Sequence, residues 1–560
     1  MTRRTFLAAA GSVGWMPAVR ANDPEAGPVL CPKSPPPSRT LAAFRSADLT
    51  SWSWDLRLAL TCLQGLVNRA APRLYLIHDR YDELWLDWLR ERGDVDRVEW
   101  LEIGQVFERF LPAATQMFIT DPAVPGSINV ATMLAAVHDG IAVTPAIADQ
   151  FQLPFGGTPD SARTGMDLRQ FNWKNDIDAY RWAFASLDAQ LSRSAVAILA
   201  PEEIALRDYL VEFRIPILWI SGPQDAPRNA KAASSQEFDF AREVLMRWPP
   251  NIPCLGWPTS GDKTGGIGET PGVRLASACA KYTNCSAFDA YSPAVGNLSV
   301  HSGTRATLRQ QRPAARLDRS KVYLAFVRSD GDGWNFHRHY YRKLFDDPRH
   351  GRVAMGWQVS PTAGDAMPDI LDYYYRHARP GDCFVNALTG LGYIHEDNYA
   401  ENFAGERQAA IWSDYVRMSG LYRKRIDTTV LNTYSEMRPE RLESLALTGC
   451  SAIFANYGRS HTTTDENTIT VAGGVPVFRA VNRSPGPFTF TPAARRDAEA
   501  FMISEIRRRT PARRPAFLNV FLANWLTSLD MIDNIVQALG PEYAVVRADQ
   551  MAGLWHDAQG

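Results

Sequence analysis

Cysteine is scarce in this chain of 560 residues, and its copies are scattered along the whole length. The seven are Cys31, Cys62, Cys254, Cys279, Cys285, Cys383 and Cys450. Such an odd, widely spaced set excludes a disulfide framework as the basis of the fold. Cys279 and Cys285 are close enough in sequence to form one bridge if the protein is exported. The alternative, which we favour, is that all seven are small buried apolar side chains.

An excess of charge of one sign is also lacking, and so are long apolar runs after the N-terminus. Lys and Arg number 60 against 61 Asp and Glu, which gives a formal net charge of −1. This balance gives no electrostatic reason to expect nucleic acid or an anionic membrane as a partner. The apolar content of 45% and the charged content of 22% are typical of a soluble globular protein.

The signature motifs of several enzyme classes are missing. The sequence contains no Gly-x-Ser-x-Gly nucleophile elbow and no His-Glu-x-x-His zinc motif. His337 and His339 are two residues apart on a predicted helix, so they face different sides and do not easily share a metal. The glycine-rich stretch 261–268 lacks the Gly-Lys-Ser/Thr ending of a phosphate loop, and we interpret it as a loop contributed to a binding cleft. We predict no cofactor and no bound metal.

The first residues are typical of an export signal. Thr2-Arg3-Arg4-Thr5-Phe6-Leu7 is a twin-arginine start, and an apolar stretch of small residues follows it. Val19-Arg20-Ala21 then offers small residues at the cleavage positions. We therefore predict a twin-arginine signal peptide over residues 1–21, rather than a retained anchor. The mature protein is expected in the periplasm or outside the cell, with no membrane anchor.

The remaining chain divides into a linker and two α/β regions. Residues 22–40 are rich in proline, serine and charge, and are predicted to be a linker. Over 41–310, short strands alternate with helices, which favours a Rossmann-like α/β region. The Arg-rich stretch 302–319 marks a boundary. From 320 to 558, seven or eight strands, most followed by a helix, predict a (β/α)7–8 barrel-like domain, with an open doubly wound sheet as the alternative.

Acidic, amide and aromatic residues follow nearly every predicted strand of the C-terminal region. The first strand ends in Ser329-Asp330-Gly331-Asp332, two carboxylates on either side of a glycine. The third ends in Gly390-Leu391-Gly392-Tyr393-Ile394-His395-Glu396. Two aspartates at such a turn can simply cap a helix. Because active sites of barrels and open sheets lie at the carboxyl ends of the strands, their accumulation there predicts a site.

These segments resemble the GxGYxYP family of proposed glycoside hydrolases. The naming motif is matched by Gly390, Gly392 and Tyr393, whereas His395 and Glu396 stand where the family has tyrosine and proline. The Ser329–Asp332 turn is similar to the family's Ser-Asp-Gly-Asp motif. Upstream, the stretches 63–69, 256–258 and 297–300 are similar to its N-terminal region. The resemblance covers nearly the whole mature chain and implies an enzyme that hydrolyses carbohydrate, without naming the sugar.

A glycosidase is the function that we predict first, because its reaction usually needs one carboxylic acid and one carboxylate. The catalytic candidates are Asp330, Asp332, Glu396 and Glu436. The candidates for binding a glycan substrate are Trp257, Trp334, Trp357, Tyr393, Asn456, Trp525 and Asp549. Two alternatives stay open: a metal-dependent carbohydrate esterase or deacetylase, in which the Asp-x-Asp turn holds a cation, and a non-catalytic glycan-binding protein of the cell envelope.

Overall fold

The protein is mixed α/β, as the sequence predicts. The computed structural model describes residues 29–49, 53–151, 165–222, 235–259, 265–288, 292–435, 437–455, 457–460, 463–483 and 491–560. Three small parallel sheets come first in the chain, and one large curled sheet follows. Within these ranges, no helix has the length and apolar character that crossing a membrane requires. The predicted signal peptide, residues 1–21, lies outside the described residues.

The first two sheets have three strands each and form the first and second units. The first unit consists of β1 Thr40–Phe44, α1 Ser53–Asn68, β2 Leu74–Leu76, α2 Arg80–Glu91, β3 Arg97–Trp100 and α3 Ile103–Phe110. The second consists of β4 Gln116–Ile119, α4 Ser127–Val137, β5 Gly140–Val143, α5 Pro145–Phe151, β6 Gly165–Asp167 and α6 Asp176–Leu187. Helix α2 starts at a capping box, in which the Asp79 carboxylate accepts from the backbone N–H groups of Tyr81 and Asp82.

A four-stranded sheet forms the third unit. It consists of β7 Val196–Ile198, α7 Arg207–Glu212, β8 Ile217–Leu218, α8 Ser235–Arg247, β9 Ile252–Gly256, α9 Glu269–Ala278, β10 Lys281–Cys285 and α10 Leu298–His301. The strand order is β10-β9-β7-β8, and all pairings are parallel. The prediction of one Rossmann-like region is therefore not met, because three separate sheets occupy residues 40–301.

The C-terminal region contains the large sheet and its helices. Its strands are β11 Val322–Arg328, β12 Met355–Val359, β13 Asp382–Asn386, β14 Val430–Asn432, β15 Ala452–Ala455, β16 Ile469–Ala472, β17 Val475–Arg479, β18 Ala516–Leu522 and β19 Tyr543–Val545. Its helices are α11 Trp334–Arg338, α12 Tyr340–Phe345, α13 Ala363–Ala366, α14 Pro368–His377, α15 Gly405–Arg425, α16 Pro439–Ala446, α17 Pro492–Arg509, α18 Leu529–Leu539 and α19 Ala548–Gln559.

The large sheet is curled and mostly parallel. Its order is β16-β17-β15-β14-β13-β12-β11-β18, with β19 paired to the start of β11 and only β16 running antiparallel. Between β17 and β18, one parallel bridge joins Ala480 to Asn519. Next to this bridge, the side-chain amide of Asn482 forms the hydrogen bonds that a neighbouring strand would otherwise form with Phe521 of β18. It donates to the Phe521 carbonyl and accepts from the Phe521 N–H, both at 2.9 Å. The sheet thus confirms the α/β class, but the pairing at this seam is too sparse for a regular barrel wall.

The two faces of the curled sheet have different partners. Inward-facing residues of non-adjacent strands, such as Val327, Val385 and Phe454, share one apolar cluster with Met551 and Leu554 of α19. Helix α19 therefore fills the inside of the curl. The alternate residues, such as Trp357 on β12, pack outward against the helices. This alternation decides which strand residues can reach a site inside the rim.

The predicted linker is packed over the part that the structure describes. The Leu30 N–H donates to Asp365 at 3.1 Å, and the Ser34 hydroxyl donates to Glu212 at 2.8 Å. Cys31 is buried between them. Residues 29–39 therefore connect the third unit to the C-terminal region rather than acting as a free spacer. All seven cysteines are free and buried, which confirms our interpretation of them as apolar side chains.

A largely buried cluster of ion pairs connects the first unit to the C-terminal region. The Arg338 guanidinium of α11 donates to both carboxylate oxygens of Asp79, at 2.9 and 2.8 Å. It also lies 2.7 Å from the Asp82 carboxylate. Asn297, from the third unit, donates to the same Asp82 carboxylate at 3.1 Å. Three parts of the chain thus meet on the helix that follows the Asp330 turn.

Candidate functional site

The Ser329–Gly333 turn lies at the carboxyl end of β11, at the rim of the curled sheet. Asp330 adopts the left-handed region, with φ of +64°. At Gly331 an added Cβ would lie 1.9 Å from the Gln358 carbonyl oxygen at the end of β12. Only glycine permits this approach, which fixes the turn against the neighbouring strand. Such strain in a loop of this kind is typical of functional sites.

Two hydroxyl groups orient the Asp330 carboxylate. Tyr457, which follows β15, donates to it at 2.5 Å, and Ser329 donates to its other oxygen. The Ser329 hydroxyl in turn accepts the Asn524 N–H at 3.0 Å, from the loop after β18. Burial, and then the negative charge of Asp330, raise the pKa of Tyr457, so its hydroxyl remains a donor. Donation from two hydroxyls favours the ionised carboxylate of Asp330.

Removing the Tyr457 hydroxyl should test this orientation. Tyr457→Phe is expected to lower kcat by about 10- to 100-fold, the value of one hydrogen bond to a charged group. A kcat in the variant within about twofold of wild type, at an unchanged melting temperature, would contradict the assigned contact.

The third unit forms the opposite wall of this rim. Backbone hydrogen bonds of 2.9 Å in both directions join Tyr393 to Thr283 of β10. An added Cβ on Gly392 would lie 2.9 Å from the Thr283 carbonyl oxygen, so the second glycine of the Gly390–Glu396 motif permits this contact. The Tyr393 ring lies between those of Trp257, at 6.4 Å, and Tyr434, at 4.9 Å. The third unit therefore packs directly against the loop that carries Tyr393.

Glu269, the first residue of α9, is a carboxylate of this wall that the sequence interpretation missed. It is exposed, and it accepts a hydrogen bond of 3.1 Å from the Tyr393 hydroxyl. Burial first, then Glu269, Tyr434 and Asp332, raise the pKa of Tyr393, which keeps this hydroxyl protonated. The only signal in the sequence was the glycine-rich stretch just before it, which we had assigned to a cleft without naming an acid.

Glu396 is close to the site but has no access to a substrate. It is 0% exposed, and its carboxylate accepts from the Thr389 hydroxyl, the Tyr434 N–H at 2.8 Å and the Ser435 hydroxyl at 2.7 Å. Burial raises its pKa, although the hydrogen bonds from Thr389 and Ser435 act in the opposite direction. We therefore revise its predicted catalytic role: Glu396 holds the loop that carries Tyr434.

This revision gives a prediction that separates the two roles. Glu396→Gln keeps the shape and most hydrogen bonds, so activity should stay within about tenfold of wild type, whereas a catalytic acid would lose about 10²- to 10⁴-fold. Burial raises the pKa of Glu396 in the folded state above its value in the unfolded chain. The free energy of unfolding should therefore fall as the pH rises past the usual pKa of a glutamate, because the folded state binds the proton more tightly than the unfolded state. Chemical denaturation should show this loss at pH 8 in the wild type and a smaller one in the variant.

The other predicted ring residues are mostly buried. Trp334 and Trp357 are each 0% exposed, so neither can be a sugar platform, because both indoles pack among the surrounding side chains. Trp257 and Tyr393 are 7% and 3% exposed, because they pack against each other where the third unit meets the C-terminal region. Trp525 is half-buried and packs on the apolar cluster beside Tyr457. The half-exposed rings of this rim are those of Tyr434, Tyr457, His395 and Trp525.

Asp549 lies away from the predicted position. It forms an ion pair with Arg547, whose guanidinium donates to the Pro380 carbonyl oxygen just before β13. That is the amino end of the strand, opposite to the Asp330 turn. The prediction for Asp549 was wrong because β19 pairs only with the first residues of β11, so it ends near the amino ends of the strands and not at the rim that carries Asp330. Glu436 and Asn456 lie outside the described residues.

Asp332 completes the set and is 5% exposed. As part of the same turn as Asp330, it acts electrostatically on the hydroxyl groups of Tyr341, Tyr393 and Tyr457. No group of three or more His, Cys, Asp or Glu side chains arranged to hold a metal occurs in the described part of the chain.

Four models of one family match consecutive parts of the chain. "GxGYxYP_N 1st domain" matches residues 43–110, "GxGYxYP_N second domain" 117–191, and "GxGYxYP third domain" 193–303. "GxGYxYP putative glycoside hydrolase C-terminal domain" matches 320–555. The chain belongs to the GxGYxYP family. The three N-terminal domains of the GxGYxYP family coincide with the three units described above, and the C-terminal domain coincides with the curled sheet.

A solved structure has the same fold. It is the "crystal structure of a putative hydrolase from Bacteroides thetaiotaomicron VPI-5482", and its chain superposes with a TM-score of 0.75 at 20% sequence identity. The match covers 94% of this GxGYxYP protein and 97% of the other chain. No curated protein matches the sequence significantly.

Proposed function

We propose that this protein hydrolyses glycosidic bonds in the cleft between the Asp330 turn and the third unit. The observation that carries the proposal is the Asp330 carboxylate, which Tyr457 and Ser329 orient beside Asp332 at the rim of a half-exposed aromatic wall. Two carboxyl groups are the usual requirement of glycosidic cleavage. The family model over residues 320–555, which names a glycoside hydrolase, supports the same reaction.

In this proposal, the ionised carboxylate of Asp330 stabilises the positive charge that develops on the sugar ring in the transition state. Asp332 is the nearby carboxyl group that donates a proton to the glycosidic oxygen as its bond to the sugar ring breaks, and it regains a proton from the water that adds to the ring. Tyr434, Tyr457 and Trp525 offer half-exposed rings on which sugar faces can pack. The curled sheet then serves as an irregular (β/α) barrel, whose strand ends carry the reacting groups.

Export is part of the proposal. The twin-arginine start and the small residues before residue 22 would place the folded enzyme in the periplasm or outside the cell, where it meets glycans. Expression of the full chain followed by mass measurement of the secreted or periplasmic protein tests this, since cleavage after Ala21 is the expected result. A full-length product confined to the cytoplasm would contradict it.

The experiment for the activity is incubation of the purified protein with a broad panel of oligo- and polysaccharides, followed by chromatography of the products. Released shorter glycans with new reducing ends are expected, and exhaustive EDTA treatment should leave the rate unchanged. Release of acetate without chain cleavage, together with loss of activity in EDTA, would favour a metal-dependent esterase. Binding without any product would favour a non-catalytic glycan-binding protein.

A further inference from the structure

The charge of the third-unit wall bears on which glycans enter the cleft. Glu269 is an exposed carboxylate that accepts a hydrogen bond of 3.1 Å from the Tyr393 hydroxyl. Asp332 also acts electrostatically on the Tyr393 hydroxyl. An anionic ligand beside Tyr393 would therefore meet the negative charge of Glu269, and like charges at short range repel each other.

The position of Glu269 is fixed by the packing of α9. Gly268, just before it, has φ of +92°, a conformation that favours glycine. At Gly272, one turn further on, an added Cβ would lie 2.2 Å from the Pro258 side chain. Pro258 follows Trp257, whose ring packs beside that of Tyr393. Helix α9 therefore packs closely against the segment that contains Trp257 and Pro258. This packing fixes the position of Glu269, the first residue of the helix, beside Tyr393.

Polar and aromatic groups around Glu269 suit an uncharged sugar. The His395 ring lies 5.3 Å from the ring of Tyr434, which itself packs on Tyr393. Nε2 of His395 is buried and has no hydrogen-bond partner among the described residues. Burial first, and then Arg274, lower the pKa of His395, so its ring is neutral at pH 7. Arg274, a cation of this wall within the described residues, lies 4.0 Å from Glu401, and the two charges partly offset each other.

We propose that Glu269, His395 and Tyr434 form a sugar-binding subsite that the third unit contributes, and that it selects neutral or amino sugars over uronic or sulfated ones. The inference rests on the proposed function. A carboxylate accepts hydrogen bonds from two neighbouring hydroxyl groups of a sugar, and a ring beside it packs on the apolar C–H face. An anionic sugar at the same place would put two negative charges together.

The test measures glycan binding in the Asp330→Asn background, which prevents turnover. A glycan array with neutral, amino, uronic and sulfated chains identifies ligands, and calorimetry then gives their affinities. We expect ligands only among the neutral and amino glycans, and we expect Glu269→Gln to weaken their binding by about tenfold or more. Glu401→Gln, which changes an exposed carboxylate near Arg274 but off the Tyr393 hydroxyl, is the matched control and should bind as before.

Each outcome bears on the inference. Preferred binding of uronic or sulfated glycans, or an affinity in Glu269→Gln within twofold of its parent, would overturn it while leaving the hydrolytic function in place. If the wild-type protein neither binds nor cleaves any glycan, the proposed function fails, and this subsite fails with it.

Discussion

Replacing Asp330 with asparagine is expected to lower kcat by about 10²- to 10³-fold on any glycan that the wild-type protein cleaves, because a charge that stabilises the transition state is lost. The variant loses the negative charge beside the reacting ring but keeps the volume and one acceptor for the Tyr457 hydroxyl. Asparagine also tolerates the left-handed backbone of this position better than most residues. Steady-state rates from reducing-sugar release, with thermal melting on the same preparations, separate loss of chemistry from loss of fold.

The control for this result is Asp397→Asn. Asp397 is an exposed carboxylate after the Gly390–Glu396 motif, where it pairs with Arg438 outside the cleft. The same chemical change there should leave kcat within about twofold, as for a surface charge away from the reacting groups. Near wild-type activity in Asp330→Asn would remove Asp330 from the mechanism.

The second large effect is expected on stability, at the cluster where three parts of the chain meet. Arg338→Met removes the guanidinium that lies between Asp79 and Asp82 and leaves both carboxylates without their cation. The side chains of Arg338 and Asp82 are 2% and 0% exposed. Removing one partner of a buried ion pair typically costs about 3–5 kcal/mol. We expect a loss of this size in the free energy of unfolding, measured by urea denaturation.

An exposed pair gives the comparison for Arg338. Arg417 and Asp414 lie one turn apart on the surface of α15, with side chains 61% and 62% exposed. Arg417→Met should change the unfolding free energy by less than about 1 kcal/mol, because exposed pairs contribute little. A loss below about 1 kcal/mol in Arg338→Met as well would mean that the first unit is not held to α11 through this cluster.

The sequence predicted the position of the Asp330 turn better than the surroundings of the other candidate residues. The turn at Asp330 was placed correctly at the end of a strand. A carboxylate pair around a glycine, directly after a buried apolar run, is a pattern of neighbouring residues and can be recognised without knowing the tertiary contacts. The prediction that the glycine-rich stretch 261–268 contributes a loop to a cleft stays a prediction, since residues 261–264 lie outside the described part of the chain. The sequence did not identify Glu269, which follows this stretch, as a candidate residue. Only the hydrogen bond from Tyr393, 124 residues away in the chain, places Glu269 beside the predicted site residues.

The errors at Trp357, Glu396 and Asp549 have different physical causes. Position after a strand places a residue near the rim, but which face of the sheet it occupies depends on strand parity and on the helices packed outside. Trp357 falls on the outer face, so its ring is buried against helices. Glu396 is covered by its own hydrogen-bonded loop. Asp549 follows a short strand that pairs only with the first residues of β11, so it lies at the opposite end of the sheet from Asp330.

A structure of the Asp330→Asn variant bound to an uncleaved oligosaccharide tests the central claim most directly. We expect a glycosidic oxygen within hydrogen-bonding reach of Asp332, about 2.6–3.2 Å, and a sugar ring beside Tyr434 with hydroxyl groups that donate to Glu269. An oligosaccharide bound with its glycosidic oxygens far from the Asp330 turn, or lying outside the cleft between the curled sheet and the third unit, would contradict it.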